Sequence, residues 1–344
     1  MDREINDRKI EHLAAIERDN GIERYNSGFD RIQLIHRALP EIDYGDIDTR
    51  CTFLGKTLSF PLIISSMTGG DNEVLRRINR NLATAAQQCR VAMAVGSQRV
   101  MMRNKDSRDS FALRPFAPDA LLLANLGAVQ LNAGFGIKEC RQAVDVLEAD
   151  GLYFHLNPLQ EAVQPEGDTN FAHLTEKMAA INRELSVPLL LKEVGCGLSP
   201  EDIELGISAG IRIFDIAGRG GTSWSRIEYH RRTHPDDDLG LVFQDWGLST
   251  AQALKLAYKT HPEMTFVASG GIRSGIDMVK AVVLGAQVCG VAAPLLPFAM
   301  QSADAVCRYI RQLQREYRTA MFLLGCSQND QLRGQEKFII RDSL

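Results

Sequence analysis

Residues 188–224, PLLLKEVGCGLSPEDIELGISAGIRIFDIAGRGGTSW, carry the repeat that decides the architecture. The apolar run Pro188–Lys192 ends in Lys192-Glu193-Val194-Gly195. Glu201–Gly210 follows with helical apolar spacing, and a second apolar run, Ile211–Ile216, ends in Gly218-Arg219-Gly220-Gly221-Thr222-Ser223. Strand, helix, strand, each strand closing on glycines and polar residues, is the unit of a parallel sheet.

The same unit recurs on both sides. Pro61–Ser65, Val91–Val95, Ala120–Ala124, Leu152–Leu156, Thr265–Ser269 and Gln287–Val291 complete a set of eight predicted strands, most starting about 20 to 37 residues apart. Helical spacing marks Asp71–Arg90, Lys138–Ala149, Phe171–Leu185 and Ile276–Leu284 between them, and Pro297–Thr319 after the last. The strands are apolar throughout rather than alternating, as expected when helices cover the outside and side chains fill the inside. Eight such units predict an α/β fold, a closed (β/α)8 TIM barrel, over 59–344. An open dinucleotide-binding sheet would want GxGxxG after its first strand, where this chain has Ser66-Met67-Thr68-Gly69-Gly70.

Two stretches stand apart. Residues 1–58 form an N-terminal extension, with helices expected over Ile5–Asn20 and Ile32–Ala38 and irregular chain with one or two short strands over Ile42–Phe60. Some 49 residues separate the sixth strand from the seventh, and their polar part, SRIEYHRRTHPDDDLG at 225–240, reads as a lid-like loop.

The chain's 344 residues, 45% of them hydrophobic, suffice for a core without disulfides or structural metal, and a net charge of -4 argues against a general nucleic-acid binder. Seven cysteines, none closer than eighteen positions to the next, show neither a paired framework nor zinc spacing and read as buried apolar residues. The N-terminus, MDREINDRKIEHL, has no apolar core of a signal peptide, and no apolar run spans a bilayer. A soluble cytoplasmic protein is expected, with no membrane partner.

In a TIM barrel the site lies at the carboxyl ends of the strands. Gly270-Gly271-Ile272-Arg273 and, after the next strand, Ala292-Ala293 suit an anion cradle, with Gly220-Gly221-Thr222 adding a hydroxyl and amides; the plain alternative is a tight turn. Lys192, in the mouth, suits the electron-rich edge of a flat ring such as a flavin's, or else pairs with Glu193 or Glu161. Thr68, Ser97 and Asn125 offer hydrogen bonds to such a ring, or simply cap loops. His155, Asn157, Gln160 and Glu161 form the densest polar cluster: His155 and Arg99 match a diphosphate, and Glu161 a magnesium ion bridged to it. Glu166 and Asp168, in the same loop, fit a solvated reading too. Arg8, Lys9 and His12 share one helix face, which alone would be a solvated one.

The set Arg8-Lys9-x-x-His12, Met67-Thr68-Gly69-Gly70, Gly96-Ser97-Gln98-Arg99, HLNPLQE at 155–161, EGD at 166–168, KEVG at 192–195 and GGTSW at 220–224 resembles the type 2 isopentenyl diphosphate isomerases, from about residue 5 to about residue 330. The resemblance implies interconversion of isopentenyl and dimethylallyl diphosphate by a 1,3-proton shift, in isoprenoid biosynthesis. Reduced FMN would act as acid and base, with NADPH or NADH as its reductant and Mg²⁺ as the metal. It implies FMN contacts from Met67, Thr68, Ser97, Asn125, Lys192, Thr222, Gly271, Arg273, Ala292 and Ala293. It implies that Arg99, His155 and Asn157 bind the substrate, that Arg8, Lys9 and His12 close over its diphosphate, that Gln160, by the prenyl part, is the catalytic side chain beside the reduced flavin, orienting the substrate or relaying a proton, and that Glu161 holds the metal. The extension would reach a neighbouring subunit, in a homotetramer or larger homo-oligomer. Ser249 stands where the family commonly has proline, at a helix start expected to lie away from the chemistry.

Three rivals fit less well. A flavin 2-hydroxy-acid oxidase needs a histidine base after the seventh strand, where the chain reads Ser269-Gly270-Gly271. A nucleotide-reducing barrel needs a cysteine in the loop after the sixth strand, and none lies between Ile216 and Gly247. A flavin- or anion-binding module without turnover would not need Lys192, Gln160 and Glu161 together.

Overall fold

The computed structural model describes residues 11–340, apart from Leu13, Thr68, Asp71 and the side chain of Lys105. Arg8, Lys9 and Thr68, named above as site residues, lie outside the described residues. The strands are β1 (Cys51–Phe53), β2 (Lys56–Leu58), β3 (Leu62–Ile64), β4 (Ala92–Ala94), β5 (Leu122–Gly127), β6 (Gly151–Leu156), β7 (Leu189–Glu193), β8 (Ile213–Asp215), β9 (Thr265–Ser269) and β10 (Val288–Val291). β1 and β2 form an antiparallel hairpin, and β3 to β10 close into a parallel barrel in which β10 pairs with β3. The fold is the predicted (β/α)8 barrel with an N-terminal extension.

Strand parity sorts the side chains. Leu62 and Ile64, Leu152 and Phe154, Leu189 and Leu191, and Phe266 and Ala268 belong to the core between strands and helices. Ile63, Ala92, Ala94, Leu123, Tyr153, Leu190, Val267 and Val288 form a second cluster inside the barrel, joined by Phe53 and Leu58 from the hairpin. Successive strand residues point to opposite faces, so the barrel interior fills from alternate positions. Both clusters are shielded from water, which explains strands without polar alternation.

The helices follow the expected spacing. Glu73–Cys89, Ile137–Leu147, Leu174–Glu184, Pro200–Ser208 and Gly275–Val283 lie within three residues of the predicted bounds at each end. The segment read as one helix over Pro297–Thr319 is two, Leu296–Gln301 and Ala303–Leu324, divided at extended Ser302, whose hydroxyl accepts from the Ala305 amide to cap the second. Among the described residues no helix is long and apolar enough to cross a membrane.

Ile32–Ala38 is not helical. Its backbone is satisfied by the other end of the chain instead: Ile35 N–H donates to the Phe338 carbonyl (2.8 Å) and Arg37 N–H to that of Leu323 (2.9 Å). The stretch 225–240 is not one loop either, because it is bounded by two short helices, Trp224–Tyr229 and Leu239–Val242. Ser223 caps the first through its hydroxyl.

The extension is fastened over the mouth by charge. The Arg24 guanidinium, 8% exposed, donates to the carbonyls of Gly195 (2.8 Å), Gly221 (3.1 Å), Thr222 (3.2 Å) and Gln244 (2.8 Å). The Asp19 carboxylate accepts from Arg226 Nε (2.7 Å) and pairs with His230 Nε2 (2.7 Å). Hydrogen bonds from Arg226 outweigh burial and, with His230, hold that carboxyl well below the usual range.

Candidate active site

The parity that fills the barrel with Ile63, Leu123, Tyr153, Leu190 and Val267 places Ser65, Asn125, His155, Lys192 and Ser269 two residues further on the same inner face. Each is the first polar residue on its inner row, and together they form the floor of the mouth. Gly290 completes the ring because nothing larger fits: a Cβ there would lie 2.3 Å from Ser65 Oγ and 2.7 Å from Ser269 Cβ.

Lys192 does not pair with Glu193 or Glu161. Its Nζ lies 3.0 Å from Asp215 Oδ2 and donates to Ser269 Oγ (3.2 Å), while Ser269 Oγ donates to the other Asp215 oxygen (2.5 Å). Lys192 and Asp215 are register partners on β7 and β8, and both are buried. Two charges inside a barrel need this mutual satisfaction, since either left alone would carry a large desolvation cost. Glu193 points the other way, accepting from the amides of Gly195 (2.5 Å), Cys196 and Gly197 (3.1 Å). Complete burial nonetheless pushes it up to about 7.

One wall is glycine. Gly270 and Gly271 have φ of +99° and +80°, and a Cβ at Gly271 would fall 2.3 Å from the Gly220 carbonyl oxygen. The β8 and β9 loops therefore meet backbone to backbone at the start of helix Gly275–Val283, whose Ser274–Asp277 capping box fixes its first turn. Thr250, fully buried, donates its hydroxyl to the Gly270 carbonyl (2.5 Å), so the helix that Ser249 caps braces this wall rather than standing apart from it. Arg273 and Thr222 face the same space, and both engage Glu23 of the extension.

The opposite wall is the amide and carboxylate cluster. His155 Nδ1 lies 2.7 Å from Asn125 Oδ1, and Asn125 Nδ2 already donates to Ser66 Oγ (2.8 Å) and the Val95 carbonyl (3.1 Å). The Asn125 oxygen is thus the acceptor and Nδ1 carries the imidazole proton. Asn157 Nδ2 donates to Gln160 Oε1 (3.1 Å) and Glu161 Oε1 (2.9 Å). Gln160 Nε2 donates to Glu228 Oε1 (2.8 Å), so both ends of its amide are fixed.

Glu228 has its own brace. His12 Nε2 lies 3.2 Å from one oxygen and Arg231 Nη1 2.6 Å from the other, while Arg231 also reaches Glu166 (2.7 Å) and Glu11 (2.8 Å). Burial alone would raise the Glu228 carboxyl; the hydrogen bonds from His12 and Gln160 and the nearby charges outweigh it and hold it at about 2. Glu166 and Asp168 are therefore not solvated spectators. Asp168 lies 3.0 Å from Arg99 Nη1 and its amide donates to Glu161 Oε2 (2.7 Å).

These walls enclose an empty volume of about 1580 Å³, part of it open to solvent. His12, Met67, Ser97, Arg99, Asn125, His155, Asn157, Gln160, Glu161, Lys192, Thr222, Gly271, Arg273, Ala292 and Ala293 all line it, which gathers the sequence candidates that lie among the described residues. Reading the sequence missed Asp215, Glu228 and Glu23. Asp215 was accessible through strand parity, as the neighbour of Lys192. Glu23 enters the mouth and Glu228 comes behind Gln160 through tertiary docking, which leaves no local pattern.

The glycine wall, a helix start, Arg273 and Thr222 fit a phosphate, and the polar floor with Lys192 fits the edge of a flavin ring. Among the described residues no three His, Cys, Asp or Glu side chains gather as a metal cluster. The Glu161 carboxylate instead accepts from the amide nitrogens of Asn157 (2.9 Å) and Gln164 and from the Asp168 N–H (2.7 Å), while the amide oxygens of Asn157 and Gln164 are buried with no hydrogen-bond partner among the described residues. A carboxylate and two amide oxygens are the hard ligands a divalent cation takes together with water and substrate oxygens, and both amides would have to turn their nitrogens away from the carboxylate to admit one.

A barrel closed on itself, with a glycine wall and a polar, lysine-bearing floor at its mouth, has the features of a flavin-type (β/α)8 enzyme. The family profile described as FMN-dependent dehydrogenase matches residues 2–105 and 99–339. A mandelate oxidase variant with an FMN adduct superposes with a TM-score of 0.64 at 19% identity, covering 91% of this chain and 89% of its own. A flavocytochrome b2 variant with pyruvate bound superposes with a TM-score of 0.67 at 16% identity, covering 93% and 78%. At such identities the likeness is one of fold. Within that class the chain belongs to the isopentenyl-diphosphate delta-isomerases, being 61% identical over 342 residues to the one from Paracoccus zeaxanthinifaciens, across 98% of both chains. The isomerase from Hydrogenovibrio crunogenus is 60% identical, across 94% of this chain and 95% of its own. That from Nostoc is 44% identical, across 95% and 93%.

Proposed function

We propose that the chain isomerises isopentenyl diphosphate to dimethylallyl diphosphate by a 1,3-proton shift, with reduced FMN lying over the barrel mouth. The observation that carries this reading is one cavity in which a glycine wall with Arg273 and Thr222 and a wall with Arg99 and His155 stand on either side of a lysine-bearing floor: the first suits the flavin phosphate, the second, with a metal ion at Glu161, the substrate diphosphate. When bound, reduced FMN supplies an electron-rich ring that gives and takes a proton and faces developing positive charge. NADPH or NADH serves as its reductant.

The residues have separate tasks. Gly271, Arg273, Thr222, Ala292 and Ala293 hold the flavin phosphate; Met67, Thr68, Ser97, Asn125 and Lys192 hold the ring. Lys192 is aimed by its pairing with Asp215 (3.0 Å), so its side chain meets the ring edge without searching rotamers. Arg99, His155 and Asn157 bind the diphosphate, with Arg8, Lys9 and His12 closing over it from the extension. Glu161 would hold Mg²⁺ against the diphosphate, where the cation would offset part of its charge and fix it beside Arg99 and His155. Gln160, clamped between Asn157 and Glu228, orients the prenyl carbons. The stretch 225–240 acts as a lid, its part between the two short helices spanning 230–238. Assembly into a homotetramer or larger homo-oligomer, with the extension reaching a neighbouring copy, belongs to the same reading, supported by Tyr25, Val242 and Trp246, large apolar residues left exposed beside the docked extension.

The test is anaerobic incubation of the purified chain with FMN, NADPH, Mg²⁺ and isopentenyl diphosphate, with analysis for dimethylallyl diphosphate. Product is expected only with reduced flavin, and in large excess over NADPH consumed. No product with flavin demonstrably bound and reduced would reject the reading. Oxidation of a 2-hydroxy acid is disfavoured by the β9 loop, Ser269-Gly270-Gly271-Ile272-Arg273, which offers no histidine base.

A further inference from the structure

Residues 22–24 of the extension run antiparallel along 221–223. Ser223 N–H donates to the Ile22 carbonyl (2.8 Å) and Arg24 N–H to that of Gly221 (3.1 Å). The backbone thereby delivers the Glu23 side chain into the cavity, against the glycine wall. There one carboxylate oxygen accepts from the Thr222 hydroxyl and the other pairs with Arg273 Nη2. These are the side-chain donors that the cradle offers an anion.

We propose that Glu23 sets the affinity and selectivity of the cradle by competing with the flavin's phosphate for Thr222 and Arg273, an inference that rests on the flavin reading above. A hydroxyl has a single proton, so Thr222 cannot donate to Glu23 and to a phosphate oxygen together. A carboxylate and a phosphate held side by side on the same two donors also repel. The tethered carboxylate is present at high effective concentration, which excludes small monoanions from solution. A phosphate, with two charges and a third oxygen, displaces it.

The exchange does not require the extension to leave. Its anchors are separate: Arg24 is held by carbonyls from three loops, and Asp19 by Arg226 and His230. Changing Glu23 therefore leaves the segment docked.

The experiment titrates flavin-stripped, full-length wild type, Glu23→Gln and Glu23→Ala with FMN and with riboflavin, following quenching of flavin fluorescence, with circular dichroism as the check on folding. Both variants should bind FMN about tenfold more tightly, the scale of one charge-assisted hydrogen bond no longer given up. Riboflavin, which lacks the phosphate, should bind all three proteins alike. Adding Arg273→Met to Glu23→Gln should erase the gain. FMN affinity unchanged or weakened in the Glu23 variants, with riboflavin unaffected, would overturn the proposal while leaving the flavin reading intact. Folded wild type that binds neither flavin would overturn both.

Discussion

Glu193 shows how burial and hydrogen bonding divide a single side chain. It is closed off from water at the end of β7, and its carboxylate gathers the amides of Gly195, Cys196 and Gly197 into the loop that borders the mouth. Burial prevails over those amides and brings it to about 7. A carboxyl raised from its ordinary 4.5 binds a proton in the native state that the unfolded state has already lost. Stability due to this group is therefore present at low pH and declines as pH rises from about 4.5 to about 7, levelling beyond. The change is on the order of 3 kcal/mol at most. Glu193→Gln has no such ionisation, so urea unfolding at intervals from pH 5 to pH 8 should find wild type losing ground to the variant up to about pH 7 and none after. Parallel profiles would show that the amides, not burial, govern it. Glu228 is the contrasting case, a buried carboxylate held at about 2 because a guanidinium, an imidazole and an amide face it.

At the scale of elements, the barrel was legible because its signal is local. Eight short apolar runs, all but the last ending in glycine or a polar residue, gave strand positions within three residues, and helical spacing gave most of the helices. Three features had no local signature. Ile32–Ala38 has helical composition but finds its hydrogen-bond partners at the other end of the chain. Ser302 interrupts what reads as a continuous helix, by capping the second half. The Lys192–Asp215 pair needed strand register, since the charged neighbours in sequence point away from each other. The glycine wall was legible as a motif, and the structure supplies its reason. Gly271→Ala would need an unfavourable positive φ and a displaced Gly220 carbonyl, at a cost of roughly 1–3 kcal/mol. The melting temperature should fall by several degrees, and FMN, measured by titration, should bind at least tenfold more weakly. An unchanged FMN affinity would remove this wall from the phosphate site.

For the molecule as a whole, the sequence candidates converged on one mouth because the carboxyl ends of parallel strands all face one way. What the sequence did not reveal is how the extension is secured there. Asp19, with Arg226 and His230, is a partly exposed clasp, so its loss should cost about 1 kcal/mol or less. Asp19→Asn should speed proteolytic cleavage within 11–24 a few-fold while the barrel's melting temperature moves by no more than about 2 °C, because the core holds no part of the clasp. Equal rates of cleavage would show that Arg24 alone suffices.

Arg24 carries a consequence for the order of events during synthesis. Its four carbonyl partners belong to residues 195, 221, 222 and 244, so it emerges from the ribosome long before any of them. The first segment made is among the last to find its place, waiting until β7, β8 and the chain as far as Gln244 have been translated and folded. A nascent barrel interrupted before that point has an open mouth, and the mature cavity is closed by its oldest residues.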